Sequence, residues 1–229
     1  MDYTVGNIIV SVFAGFLPAL FWLWFWRRED LMHPEPRTKI AMTFVAGIVS
    51  AICALFIERA ILKYAFDQTT TIVLWAATEE ILKFLAVYWI VLTRKDTDEP
   101  IDNLIYCITG ALGFAAIENT LFLLHPIVSG EFATSLITGN LRFVGASLVH
   151  VVCSAAVGLA LALTFYRPKI LKELYASIGL ILAILLHSLF NIFIMDGTTT
   201  FAAFSSVWVG VVVLIALFEK VKRIRPAHS

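Results

Sequence analysis

An all-α, polytopic membrane protein of about seven transmembrane helices, in a single domain spanning residues 1–229, is the fold class this sequence predicts. Three observations carry the prediction. Hydrophobic residues make up 60% and charged residues 15% of the chain, with a mean hydropathy of +0.87, more apolar surface than a soluble domain of this length can hide. The apolar residues fall into seven runs, each of a length that crosses a bilayer as a helix. Lysine and arginine are distributed unevenly over the connections. Arg27, Arg28, Arg37 and Lys39, then Arg94 and Lys95, then Arg167, Lys169 and Lys172, and finally Lys220, Lys222, Arg223 and Arg225 fall on one side of a seven-span chain; only Arg59, Lys63 and Arg142 fall on the other. The positive-inside rule then places the amino terminus outside and the carboxyl terminus in the cytoplasm.

The first run, Val5 to Trp26, follows a start with no basic residue and is too long for a signal-peptide core, so it reads as an uncleaved span. Pro18 is placed to kink it, and Trp22, Trp24 and Trp26 sit where an interfacial aromatic belt is expected. After a polar loop, Arg27 to Lys39, come the second run, Ile40 to Ile57, and the third, Thr71 to Leu92. The fourth is Ile101 to Leu124, followed by a loop over His125–Asn140. The fifth is Phe143 to Phe165, the sixth about Leu174 to Met195, and the seventh about Thr200 to Phe218. The basic tail Lys220 to Arg225 belongs at a lipid surface. Cys53, Cys107 and Cys153 all lie within apolar runs, which makes each a small buried hydrophobe rather than part of a disulfide framework. Formal charge balances at zero and identifies no partner beyond the bilayer; no nucleic-acid partner is expected.

The third run is unlike the others, because Glu79, Glu80 and Lys83 interrupt it. Each charge at mid-membrane costs about 2.5–3.5 kcal/mol on insertion scales, so three of them need a reason. Lys83 shares a helical face with both acids, while the acids themselves point about 100° apart. Lys83 can therefore neutralise one and leave the other free. This is either an ion-pair knot between helices or a catalytic carboxylate held away from water. Depth bears on the choice. At 1.5 Å per residue the two acids lie roughly 12–14 Å below the outer end of their helix, Glu118 roughly 9 Å, His150 roughly 10 Å, His187 roughly 12 Å and Asn191 roughly 6 Å. Polar residues on four helices thus share one level in the outer half of the membrane. His187 and Asn191 share a face, as do His150 and Ser154, and Phe114 and Glu118.

Hydrolysis is the chemistry such a set supports. A carboxylate beside a like charge and away from bulk water can act as general base. Imidazole can relay the proton, and His187 with Asn191 can donate to a developing oxyanion. Alternatively, Glu118, His150 and His187 supply the two-histidine, one-carboxylate set of catalytic Zn²⁺, with Glu79 or Glu80 as base. Metal-free and Zn²⁺-dependent hydrolysis both fit the residues. A proton- or cation-coupled transporter also needs intramembrane Glu, His and Lys at one level, although no internal repeat or Gly/Pro-broken helix accompanies them here. A seven-span receptor or scaffold would explain the helix count but not the shared depth. The small residues from Gly145 to Gly158 serve either helix packing or substrate access.

Glu79-Glu80-x-x-Lys83, Phe114-x-x-x-Glu118, His150-x-x-x-Ser154 and His187-x-x-x-Asn191 resemble the four motifs of the PrsW family of intramembrane proteases, grouped with the CAAX prenyl endopeptidases and bacteriocin-immunity proteins. The loop from Arg28-Glu29-Asp30 to Pro34-Glu35-Pro36-Arg37 is similar too. The resemblance implies a multi-pass enzyme of the prokaryotic plasma membrane that cuts a membrane-anchored protein on its extracytoplasmic side, in the best-known case an anti-sigma factor. It implies Glu79 and Glu80 as the catalytic pair and His187 with Asn191 on the oxyanion side. The second motif carries Glu118 where the CAAX enzymes carry His, so their metal-free mechanism does not transfer directly.

Overall fold

The computed structural model describes residues 4–30, 33–93, 97–196 and 199–225. Arg94 and Lys95, used above for orientation, lie outside the described residues. The described chain is helical without strands. Its elements are α1 (Val5–Arg27), α2 (Arg37–Ile61), α3 (Gln68–Val87), α4 (Pro100–Val128), α5 (Phe132–Leu141), α6 (Ser147–Leu163), α7 (Lys169–Asp196) and α8 (Thr200–Val221). A π-helical turn, Tyr88–Leu92, prolongs α3, and another, Arg142–Ala146, joins α5 to α6 into one long rod.

Among the described residues, six helices are long and apolar enough to cross a membrane, the α5–α6 rod counting as one. This is one fewer than the seven expected. The third run does form a helix of the required length, but Glu79, Glu80 and Lys83 remove it from the apolar set. The loop expected over His125–Asn140 is also largely helical. α4 continues to Val128, and a tight reversal at Gly130, with φ +71°, starts α5 at Phe132. Hydropathy missed α5 because its Thr, Ser and Asn residues dilute the exposed Phe132, Leu136 and Ile137.

Local chemistry sets the helix starts. Thr4 accepts from the backbone N–H of Asn7 at 3.2 Å to open α1. Asp67 opens α3 by accepting from the Thr70 N–H at 3.1 Å and its hydroxyl at 2.5 Å, which holds the Asp67 carboxyl below the usual range. At α4, Pro100 begins the helix and Asp102 Oδ2 accepts from the N–H groups of Asp98 and Glu99 at 2.8 and 2.7 Å.

α4 is the central helix, buried at every residue from Pro100 to Ala116. Glycines bring α2 onto it at backbone distance. A Cβ on Gly113 would stand 2.0 Å from the Phe44 carbonyl oxygen, and one on Gly47 2.0 Å from that of Gly110. The small face of α6 is used in the same way. Gly158 packs on the Asn103–Leu104 backbone, Gly145 on the Phe204 ring, and Ser147 is fully buried, accepting from Asn119 Nδ2 at 3.0 Å. Gly145, Ser147 and Gly158 therefore pack helices, while Ala146 and Val149 of the same stretch line a cavity.

The aromatic belt expected on α1 is also revised, since Trp22 and Trp26 are buried and only Trp24 is exposed. Trp26 stacks on Phe218, with ring centroids 5.4 Å apart. The π-helical turn sends the Ser147 N–H to the Arg142 carbonyl, which deprives the Phe143 carbonyl of its ordinary partner, and Trp22 Nε1 donates to it at 3.0 Å. Cys107 and Cys153 are buried as expected, whereas Cys53 is exposed on the outer face of α2.

Candidate active site

The three charges of α3 point away from the surface and meet residues of α4, α6 and α7. Glu79, Glu80, Lys83, His150 and His187 are all buried, and the sequence-derived set comes together as one centre. Glu80 is the paired acid. Lys83 Nζ donates to its Oε1, and His187 Nδ1 lies 2.7 Å from the same oxygen. Glu79 is the free one. Its Oε2 is buried without a hydrogen-bond partner, 3.8 Å from His187 Nε2 and 4.0 Å from His150 Nδ1. The 100° offset between adjacent helical residues thus separates one neutralised carboxylate from one available carboxylate.

His150 is held from two sides. Its Nε2 lies 2.6 Å from Glu118 Oε2, and its Nδ1 accepts from Lys83 Nζ at 3.0 Å. The Phe114 ring, 5.5 Å from the imidazole, also lies 5.0 Å from the lysine ammonium, which explains the spacing of Phe114 and Glu118 on α4. The two imidazoles meet edge to face with ring centroids 5.0 Å apart.

A cavity of about 700 Å³ reaches this centre. Glu79, Glu118, His150, His187 and Asn191 line it; Glu80 and Lys83 stand behind them. Ser154 is off the cavity, next to Glu80, Lys83 and Cys107. The cavity walls come from the ends of α2, α4 and α7 and the beginnings of α3, α6 and α8, which all belong to one end of the bundle.

Two cavity residues were missed in the sequence. Arg142 Nη2 donates to Glu118 Oε2 at 2.8 Å and its Nε donates to Asn119 Oδ1, so one arginine ties the second motif to the π-helical turn. Its signal was its isolation as a basic residue on the sparsely basic side, which placed it in a loop. Glu58 lies one residue beyond the apparent end of the second run and lines the cavity near Trp75.

Three ligand atoms, one each from Glu79, His150 and His187, lie within 4.8 Å of one another. This set fits a divalent metal: the unpartnered Glu79 oxygen faces two imidazole nitrogens, and the other nitrogen of each ring is fixed by a carboxylate, Glu80 or Glu118. It differs from the expected Glu118, His150 and His187 in that Glu118 is engaged by Arg142 and stands behind His150.

A buried Glu/His centre at one end of an apolar helical bundle suits a membrane-embedded hydrolase, and likeness to known proteins decides between that class and a transporter. The chain matches the model of the PrsW family intramembrane metalloprotease over residues 35–218 and belongs to that family. Relatives include Protease PrsW of Oceanobacillus iheyensis, 26% identical over 90% of this chain and 92% of that protein, and of Clostridioides difficile, 24% identical over 82% and 79%. Protease PrsW of Geobacillus kaustophilus is 28% identical over 54% of this chain and 56% of its own. No solved structure matches. The chain is thus a peptidase and a multi-pass membrane protein, and the transporter and scaffold readings fall away.

Proposed function

We propose that this protein hydrolyses a peptide bond of a membrane-anchored protein close to the extracytoplasmic face, a first cleavage of the kind that releases an anti-sigma factor. The unpartnered Glu79 oxygen between two oriented imidazoles carries this reading. Glu79, His150 and His187 would hold Zn²⁺, His150 through the nitrogen that Lys83 otherwise occupies. The metal would supply Lewis-acid polarisation of the scissile carbonyl and an acidified water.

The remaining steps fall to the chain's own groups. Glu118, the most exposed carboxylate of the set at 25%, takes the proton of the attacking water on Oε1, the oxygen that neither Arg142 nor His150 engages, as the new C–O bond forms. It delivers that proton to the amide nitrogen as the C–N bond breaks, leaving a carboxylic acid and an amine. Asn191, one turn from His187 on the cavity wall, donates to the carbonyl oxygen as charge develops. Glu80 orients His187 and Lys83 balances the charge of Glu80, neither touching substrate. The lysine and arginine distribution supports an outward position for the cavity. A substrate helix must unwind before its bonds are reachable, so cleavage falls at the outer end of its span or just beyond.

One observation favours a metal-free reading: Lys83 already satisfies His150 Nδ1. Glu79 would then be the general base itself. The test is purified protein with a single-span substrate, measuring cleavage and bound zinc together. The metal reading expects about one zinc per active chain, loss of both zinc and cleavage in Glu79→Gln, and zinc binding weakened about 10–100-fold in Glu80→Gln. Full cleavage by zinc-free protein refutes the metal, and cleavage by Glu79→Gln refutes both readings.

A further inference from the structure

A second centre lies at the other end of α4. Asp102 is 16 residues from Glu118 in the same helix, roughly 24 Å along its axis at 1.5 Å per residue. Asp30, at the end of the first helical segment, Glu35, in the stretch leading to α2, and Asp102 offer three carboxylate oxygens within 4.8 Å of one another. All three side chains are at least nine-tenths buried, with exposures of 6%, 7% and 2%.

The charges that act most strongly on these acids are mainly other acids: Asp102 and Glu99 on Asp30, Asp102 and Asp30 on Glu35, and Asp98 on Asp102. His33, acting on Asp30, is the exception. Structural bonds use only part of the set. Asp102 spends Oδ2 on the start of α4, and Glu35 Oε2 accepts from the Tyr106 hydroxyl. Asp30 Oδ2 is buried with no hydrogen-bond partner among the described residues, although the His33 backbone bonds to the same carboxylate. A buried, unpartnered carboxylate oxygen beside two further acids has a large desolvation cost, offset within the chain only in part by His33 and by the contact between Glu35 and Asp102.

We propose that Asp30, Glu35 and Asp102 form a binding site for a hard divalent cation of the Mg²⁺, Mn²⁺ or Ca²⁺ class. Donors that are all carboxylate oxygens select such ions over Zn²⁺, which is better served by the histidines of the catalytic centre. An ion at roughly 2.1–2.5 Å from each oxygen puts the oxygens roughly 3–5 Å apart, compatible with three oxygens lying within 4.8 Å of one another. The site ties the α1–α2 connection to the first turn of the central helix, so the ion braces the fold at the end remote from catalysis. It does not depend on the catalytic metal.

Titration of the full-length, metal-stripped protein in detergent with Mn²⁺, followed by electron paramagnetic resonance, tests this. The wild-type chain and His187→Ala should both take up Mn²⁺ that excess Mg²⁺ displaces, and Asp30→Asn should lose it. Glu35→Gln, which keeps an acceptor for Tyr106, serves as the second variant should Asp30→Asn not fold. In His187→Ala, Mn²⁺ should also raise the unfolding temperature. The site is disproved if His187→Ala takes up no Mg²⁺-displaceable Mn²⁺, or if folded Asp30→Asn or Glu35→Gln binds Mn²⁺ as the wild type does. Either of those results would mean that the three acids are a proton-sharing knot, and neither bears on the zinc measurement at the catalytic centre.

Discussion

Replacing Arg142 with methionine isolates the contact that links the π-helical turn to the catalytic centre. The side chains of Arg142 and Glu118 are 10% and 25% exposed, so Arg142→Met leaves the Glu118 carboxylate mostly buried and short of its cation. Breaking a fully buried ion pair by removing one partner costs about 3–5 kcal/mol. The partial exposure of Glu118, and the modest value of polar contacts between membrane helices, about 0.6 kcal/mol on average, reduce this to about 2 kcal/mol. Removing both charges, in Arg142→Met with Glu118→Gln, should recover about half of that loss, because the stranded charge is gone. Cleavage should not recover, since His150 loses the group that fixes its ring. The assay is reversible unfolding of the single and double variants in mixed micelles, paired with substrate cleavage. If the double variant is no more stable than Arg142→Met within about 0.5 kcal/mol, the two residues are not coupled and Arg142 does not position Glu118.

Two further outcomes follow from the packing and the caps. Ser147→Leu forces a larger side chain into a fully buried contact with Asn119, so it should lower stability by about 1–3 kcal/mol; unchanged unfolding would refute that role. Asp67, with its carboxyl held below the usual range by its bonds to Thr70, stabilises the start of α3 fully above the unfolded-state value of 3.8. That contribution is lost as the pH falls through the lower folded value, so an acid titration should destabilise the wild type more than Asp67→Asn.

Much of the site was legible because membrane helices convert sequence spacing into depth and face with few exceptions. The distances along each run placed Glu79, Glu118, His150 and His187 at one level, and the structure brings them together. The offset between Glu79 and Glu80 foretold one paired and one free acid, but not which, because that depends on where α7 presents His187. Arg142 was not legible. Its role requires the α5–α6 rod, and hydropathy had ended the rod's amino-terminal half in a loop. The carboxylates of Asp30, Glu35 and Asp102 were equally hidden, since interfacial acids at the ends of apolar runs ordinarily read as solvated.

The same physics explains why the helix that carries the chemistry is the one that fails the apolar criterion. A charged helix facing lipid bears the full insertion cost, whereas α3 packs against α2, α4, α6 and α7 and turns its charges inward. There Lys83 and His187 neutralise Glu80, Arg142 and His150 neutralise Glu118, and the residual cost is concentrated on a single oxygen, Oε2 of Glu79. Full pairing would have stabilised the bundle further, and the cavity would then have opened onto a satisfied, unreactive surface. The apolar wall around it, including Trp75, Phe114 and Phe204, keeps bulk water from screening that oxygen. What remains unpaired at this centre is therefore the group that a metal or an attacking water can engage, and the helices packed around α3 supply the packing that holds it there.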